Sequence, residues 1–435
     1  MAPMPASDYD SSYRWVMALI TAVVMTTSFI SLTAFGVAAP AIAKTIGVPL
    51  NTLTTYGVDA FSIGLFIAFF LGHGGIFDTR IKSGIFLAQA LLIVPQVLIP
   101  VLMPLTHSLV LFTLLRFSQG LVIMMIALFS IQLSGWFRPS QRGISLGAML
   151  GAITLGGAIG GLITGGLAGI GWRDLYYVTA LIMAAGAAVY FIFARDSAEL
   201  VAKLRAARQV KHPSAWSSPM TWLMGIVQIP LTWTLFSIGG FMPAYAFHLG
   251  YKVDQVGHIM FIWGVVGFFA AVLGSLFGDR LARGQTTNRG VVNARLTVIG
   301  LTNLVMAVGA LMVLYLAPIS YGMFLISAIV VAFIMAIPPN YWATPASVFP
   351  LATVGAGAFG MGVISNSTSA IGPVVSSIMV PTFGWSGVFW IMAILSIAGV
   401  GVNLIAMRIP LPADATTPLE VIVTQPTHAK AGSAS

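Results

Sequence analysis

Residues Ser108 to Ser134 read SLVLFTLLRFSQGLVIMMIALFSIQLS and carry one formal charge, Arg116. An α-helix rises 1.5 Å per residue, so this run is long enough to cross a hydrocarbon core of about 30 Å. A guanidinium at membrane depth costs a few kcal/mol on insertion scales. Arg116 must therefore face protein or a wet cavity rather than lipid, as a functional cation or as an anchor for neighbouring carbonyls.

The rest of the chain repeats the pattern. It is 58% hydrophobic and 7% charged over 435 residues, with a mean hydropathy of +0.96. Soluble domains run at about 25% charged residues, so this composition defines an integral membrane protein. Its apolar runs reach about 20 residues or more, the length of a spanning helix, where barrel strands would alternate polarity over about 10. There is no cysteine, which excludes disulfides, thiolate metal sites and cysteine nucleophiles. At the N-terminus, GVAAPAIA contains an A-x-A pattern, but the apolar segment preceding it from Trp15 is too long for a cleaved signal.

Twelve spans are expected, at roughly 15–39, 55–77, 84–104, 108–133, 144–169, 175–194, 220–245, 256–278, 294–316, 319–344, 351–380 and 385–408. The long polar break at 195–219 separates a first six-helix bundle (15–194) from a second (220–408), with tails at 1–14 and 409–435. In the break, Glu199 and Lys203 stand at i,i+4 and Leu200 and Leu204 share a face, as in a short amphipathic helix at the membrane surface. With the N-terminus inside, 16 of the 20 Lys and Arg fall on the inner side, Lys44, Arg173 and Lys252 fall outside, and Arg116 is intramembrane. The bias places both termini in the cytoplasm. It also accounts for the net charge of +9 without a nucleic-acid partner.

The two bundles repeat each other. RGISLGAML from Arg142 aligns with VGAGAFGMG from Val354, AIGG from Ala158 with AIGP from Ala370, and GWRDLYY from Gly171 with GWSGVFW from Gly384. The offsets are 212 (Gly143 to Gly355), 212 (Gly160 to Gly372) and 213 (Trp172 to Trp385). GGIFDTRIKSG from Gly74 recurs as GSLFGDRLARG from Gly274, with Asp78 and Asp279 offset by 201. Two parallel repeats facing each other are the plan of many secondary transporters, whose substrate site lies near the midplane between them.

On these motifs residues 14–408 resemble the major facilitator superfamily. GGIFDTR around Asp78 resembles that superfamily's G-x-x-x-D-R loop, with Thr79 inserted and Ile81 where a second Gly is usual; FGDRLARG around Asp279 is closer. RFSQG in helix 4 resembles R-x-x-Q-G, through Arg116, Gln119 and Gly120. NYWATPASVFP, SNSTSAIGP and SIGGFMPAYAFHLGY look like the organic anion:cation symporter branch. That branch's charged pair in helix 1 is absent, and Ile123 stands where its helix-4 Glu would be. Helix 5 comes close to the exporters' glycine motif but has Gly161 in place of the Pro.

The resemblance implies an all-α fold of twelve transmembrane helices in two pseudo-symmetric six-helix bundles, working by alternating access. The expected substrate residues are Arg116, Gln119, Gln228, Trp233, Trp263, Asn340, Trp342 and Asn366. Asp59, the one acid well placed in a span, and His73 are the proton-coupling candidates, against bland readings as a solvated helix-end acid and a packing residue. Asp78, Arg80, Arg142, Asp279 and Arg280 are the gating candidates, against a reading as surface ion pairs worth under about 1 kcal/mol. The expected function is proton-coupled uptake of a small organic carboxylate across the cytoplasmic (inner) membrane; the alternative is proton-coupled efflux of amphipathic compounds. Substrate, protons and membrane lipids are the expected partners of a monomer, with no cofactor, metal or nucleic acid. Six scattered histidines and a single intramembrane acid do not make the cluster an embedded enzyme needs.

Overall fold

The computed structural model describes residues 8–72, 77, 79–207 and 214–411, and all regular structure among them is helical. The spans are α1 (Tyr13–Ile46), α2 (Leu50–Gly72), α3 (Ile81–Thr106), α4 (Leu109–Gly120, then a 3-10 turn Leu121–Met124, then Met125–Ser134), α5 (Arg142–Gly166) and α6 (Trp172–Phe193). A linker helix, Ala198–Ala207, precedes α7 (Pro219–Val227 and Ile229–His248, jointed at Gln228), α8 (Val253–Ala282) and α9 (Asn288–Leu316). Next comes α10 (Tyr321–Ala332, a 3-10 turn Phe333–Ala336, then Ile337–Trp342). The final helical stretch, Val354–Ala406, divides at Gly384 (φ 68°, ψ −173°) into α11 (354–383) and α12 (385–406). Among the described residues eleven helices are long and apolar enough to cross a membrane, the last counted through the Gly384 break. Dividing that stretch makes twelve.

The sequence repeat is written in the backbone. Ser108 and Ser320 cap α4 and α10, each hydroxyl accepting from the amide three residues on, Leu111 and Met323, at 3.2 Å. Such a cap satisfies one of the orphan donors of the first helical turn. Each cap starts a 12-residue helix that tightens into a four-residue 3-10 turn, at Leu121 and at Phe333. Short 3-10 turns at Pro139–Gln141 and Leu351–Thr353 then lead into α5 and α11. All these pairs are offset by 212 residues, the offset of the sequence repeat. Gly171 (φ 96°) and Gly384 (φ 68°), 213 apart, turn the chain into α6 and α12 in the left-handed region that favours glycine.

Lipid supplies no hydrophobic drive between helices, so small residues let them approach. At the α2–α4 crossing a Cβ on Gly64 would lie 2.2 Å from the Phe117 carbonyl oxygen, and one on Gly120 would lie 2.1 Å from that of Phe61. Across the halves α5 packs along α8, and α2 along α11. The linker helix carries the expected Glu199–Lys203 pair at 2.6 Å. Its apolar face is turned onto protein rather than lipid: Leu204 is buried and Leu200 is packed against the core. Just before it, Asp196 accepts from Gln132 Nε2 at 2.7 Å, and Tyr190 donates to Gln132 Oε1 at 2.9 Å. Burial pushes the Asp196 carboxyl above its ordinary pKa, partly offset by the Gln132 hydrogen bond and by Lys82.

Candidate functional site

Three turns' worth of α4 place Arg116 and Gln119 on one face at i,i+3. Arg116 is 2% exposed. Its Nη1 donates to Gln119 Oε1 at 2.7 Å and its Nε to the Gly57 carbonyl of α2 at 3.3 Å. The chain continues: Gln119 Nε2 donates to Gln96 Oε1 at 2.7 Å, and Gln96 Nε2 to Thr179 Oγ1 at 2.8 Å. A buried polar chain thus joins α4, α3 and α6. The rings of Phe35 and Phe61 flank the guanidinium, with centroids 4.3 Å and 5.0 Å away. Among the described residues no carboxylate lies within ion-pairing distance of Arg116, and none accepts from its Nη2.

Arg116 lies on the wall of a central cavity of about 1320 Å³. Helices of both halves line it: α1, α2, α4 and α5 from the first, α7, α8, α10 and α11 from the second, with Trp385 of α12 at the mouth. Of the residues expected from sequence, Asp59, Arg116, Gln228, Trp263, Trp342 and Asn366 reach it, as does Ile123; Gln119, Trp233 and Asn340 do not. Asp59 and Arg116 are the only ionisable groups among the described lining residues. Gln228 sits at the joint of α7 with its side-chain oxygen buried and unpartnered. Thr232 ties α7 to α11 through the Ser365 carbonyl and the Thr368 hydroxyl, both at 2.6 Å. Asn366 Nδ2 donates back to the Gly362 carbonyl at 3.0 Å.

The cavity has one open and one closed end. Lining residues near the α1–α2 and α7–α8 turns, Thr54, Thr55, Val58 and Gly257, are exposed, whereas Ile123, Leu150 and Trp342 at the far end are buried. The closure begins with Trp342, whose indole stacks on Phe69 of α2 (5.8 Å, 15°) and whose carbonyl accepts from Ser130 Oγ of α4 at 2.6 Å. Below it Asp279 of α8 pairs with Arg295 of α9 at 2.6 Å. The Asp279 carboxylate also accepts from the Gly143 and Ile144 amides, at 3.0 Å and 2.8 Å, at the N-terminus of α5. There the helix dipole and unsatisfied amides favour a negative charge. Arg295 donates to the Pro139 carbonyl at 3.0 Å and to Asn340 Oδ1 at 3.3 Å, while Asn340 Nδ2 donates to the Gly274 and Ala336 carbonyls at 3.0 Å and 2.9 Å. One buried network thus joins second-half helices to the start of α5. Gly257 and Asp279 stand at opposite ends of α8, about 33 Å apart at 1.5 Å per residue.

Several expected partnerships differ here. Asp279 pairs with Arg295, which is not among the gating candidates read from the sequence, and not with Arg142 or Arg280. Arg142 is buried and donates to the Phe137 and Ser134 carbonyls at 3.3 Å and 3.5 Å. Arg280 and Arg80 are exposed. Asn340 belongs to the closing network instead of the cavity wall. His73 and Asp78 lie outside the described residues. Gln96 and Thr179 were missed; a glutamine inside an apolar span with no charged neighbour was the available signal.

A pseudo-symmetric twelve-helix bundle with a central cavity open at one end and sealed at the other has the architecture of an alternating-access membrane carrier. The sequence profile of the Major Facilitator Superfamily matches residues 21–363, and the chain belongs to that superfamily. No curated protein matches the chain. Among solved structures 279 chains match. One is the human organic anion transporter MFSD10 (TETRAN), with TM-score 0.71 and 13% identity, covering 90% of this chain and 99% of that one. Another is the proton:xylose symporter XylE bound to 6-bromo-6-deoxy-D-glucose, with TM-score 0.74 and 14% identity, covering 95% and 100%. At these identities the likeness is one of fold.

Proposed function

We propose that the protein carries an organic anion across the cytoplasmic membrane by alternating access, with protons moving in the same direction. The observation that carries this reading is Arg116, the single cation among the described lining residues, with a guanidinium edge that no described side chain occupies. A carboxylate would complete its hydrogen bonds with a charge-assisted pair. The polar chain through Gln119 and Gln96 would hold that edge in place before substrate arrives, which reduces the ordering cost of binding. Asp59, the only acid among the described lining residues, is the candidate proton carrier. The fold it shares with an organic anion transporter and a proton symporter is compatible with both parts of this reading.

Two six-helix units joined through 195–219, with both termini cytoplasmic, would make the described state outward-open. The Asp279–Arg295–α5 network then acts as the inner gate. It holds the outward-open state, and opening the inner side requires the carboxylate to leave the α5 amides. A second reading, efflux of amphipathic compounds, draws on the aromatic and aliphatic character of most of the lining.

The test uses purified protein in liposomes loaded with a pH dye. Carboxylates added outside should acidify the interior; cationic or neutral amphiphiles should not. Proton movement with the amphiphiles alone would transfer support to the efflux reading.

A further inference from the structure

We infer that the preferred ligand is an aryl monoanion, one carboxylate-type group on a flat aromatic body. This rests on the organic-anion reading above and narrows it. The charge count sets the number of anionic groups. Nε and Nη1 of Arg116 are already committed to Gly57 and Gln119, so the guanidinium has one edge left for a ligand. A second anionic group would find no other cation among the described lining residues to pair with. An unpaired charge is costly to desolvate against a mostly apolar wall, so di- and tricarboxylates are disfavoured.

The body of the ligand follows from what surrounds that edge. Phe35 and Phe61 lie against the guanidinium, so a carboxylate that reaches it brings its own carbon skeleton up beside aromatic rings. Trp263, Trp342 and Trp385 continue the aromatic wall in the second half and at the mouth. Aromatic pairs stabilise beyond simple area burial. The cavity, at about 1320 Å³, exceeds the roughly 300–1,000 Å³ of common small-molecule sites. A two- or three-carbon acid would leave most of that wall wet. Gln228, buried with an unpartnered side-chain oxygen on the second-half part of the lining, adds a place for a ring hydroxyl or amide N–H.

The test is calorimetric titration of the intact protein in lipid nanodiscs with 2-naphthoate, benzoate, phthalate, acetate, 2-naphthamide and 2-naphthylmethylamine. The expected order places 2-naphthoate about ten-fold or more tighter than acetate, from ring burial, and phthalate weaker than benzoate. Acetate or phthalate binding as tightly as 2-naphthoate overturns the aryl monoanion and leaves the anion reading standing. The amide or the amine binding as tightly as 2-naphthoate overturns the anion reading itself, and with it this inference. A Phe61→Leu variant separates ring contact from charge: 2-naphthoate should weaken several-fold while acetate is unmoved, and equal weakening of both counts against the inference.

Discussion

Asp279 and Arg295 meet at 2.6 Å beneath the cavity, both buried, and the same carboxylate accepts the first amides of α5. An ion pair this dry is not simply a source of stability, because desolvation offsets much of its attraction. Its position between the halves suits it to a state-specific contact, formed in one arrangement and broken in the other.

Removing one partner should be severe. We predict that Asp279→Asn destabilises the protein by about 3–5 kcal/mol, because Arg295 is left buried and unpaired. Replacing both, Asp279→Asn with Arg295→Met, should restore much of the melting temperature while leaving the inner gate weak. A double variant that melts no higher than the single one would show that the pair is not the unit that matters.

Gly143 offers a gentler way to loosen the same contact. A Cβ there would lie 2.5 Å from Asp279 Oδ1 and 2.6 Å from Arg295 Nη1. Gly143→Ala should therefore push the carboxylate off the α5 amides and shift the population toward the inward-open state. The chain has no cysteine, so a Ser130→Cys reporter behind the Trp342 closure can be read without background labelling. Its reaction with a maleimide supplied from the inner side should rise several-fold in the Gly143→Ala protein. An unchanged rate would remove the gating role.

Much of the architecture was legible in the sequence because membranes restrict the choices. Twelve apolar runs and an offset of 212 lead to two matched bundles, and the same offset reappears in the serine caps and 3-10 turns of α4 and α10. Partner choice inside the bundle was not legible. Arg295 follows a run of loop residues and counts as an inner-side cation, yet the helix that begins at Asn288 carries it into the protein toward Asp279. Asn340 reads as a pocket residue by polarity alone; the 3-10 turn that ends at Ala336 helps set its direction, toward Gly274 and Arg295. Nothing in the spacing of Gln96 and Thr179 announces that both serve Arg116 through Gln119.

That chain predicts its own phenotype. Gln119→Leu leaves Gln96 Oε1 without its donor and Arg116 Nη1 without its acceptor. Stranding buried polar groups costs about 1–3 kcal/mol each. We expect a lowered melting temperature together with a raised KM for the anion, since the guanidinium is no longer held. Loss of thermal stability with an unaltered KM would make the chain purely architectural.

Asp196 gives a pH signature at the start of the linker. Its carboxyl is held above its ordinary pKa by burial, so the folded state binds its proton more tightly than the unfolded chain does. The contribution of this group to stability is therefore greatest below the ordinary carboxylate pKa and declines as pH rises through the raised one. Asp196→Asn can still accept from Gln132, so it should flatten that part of the profile and melt at or above the wild type near neutral pH. Thermal melts between pH 4 and 8 would show it; a variant that melts lower throughout would contradict the assignment.

The most direct measurement compares wild type, Arg116→Gln and Asp59→Asn side by side in liposomes, following labelled benzoate and interior pH together. Coupled anion symport predicts benzoate entry with acidification in the wild type, neither in Arg116→Gln, and benzoate exchange without net acidification in Asp59→Asn. Benzoate entry that survives the loss of the Arg116 charge would contradict the central claim.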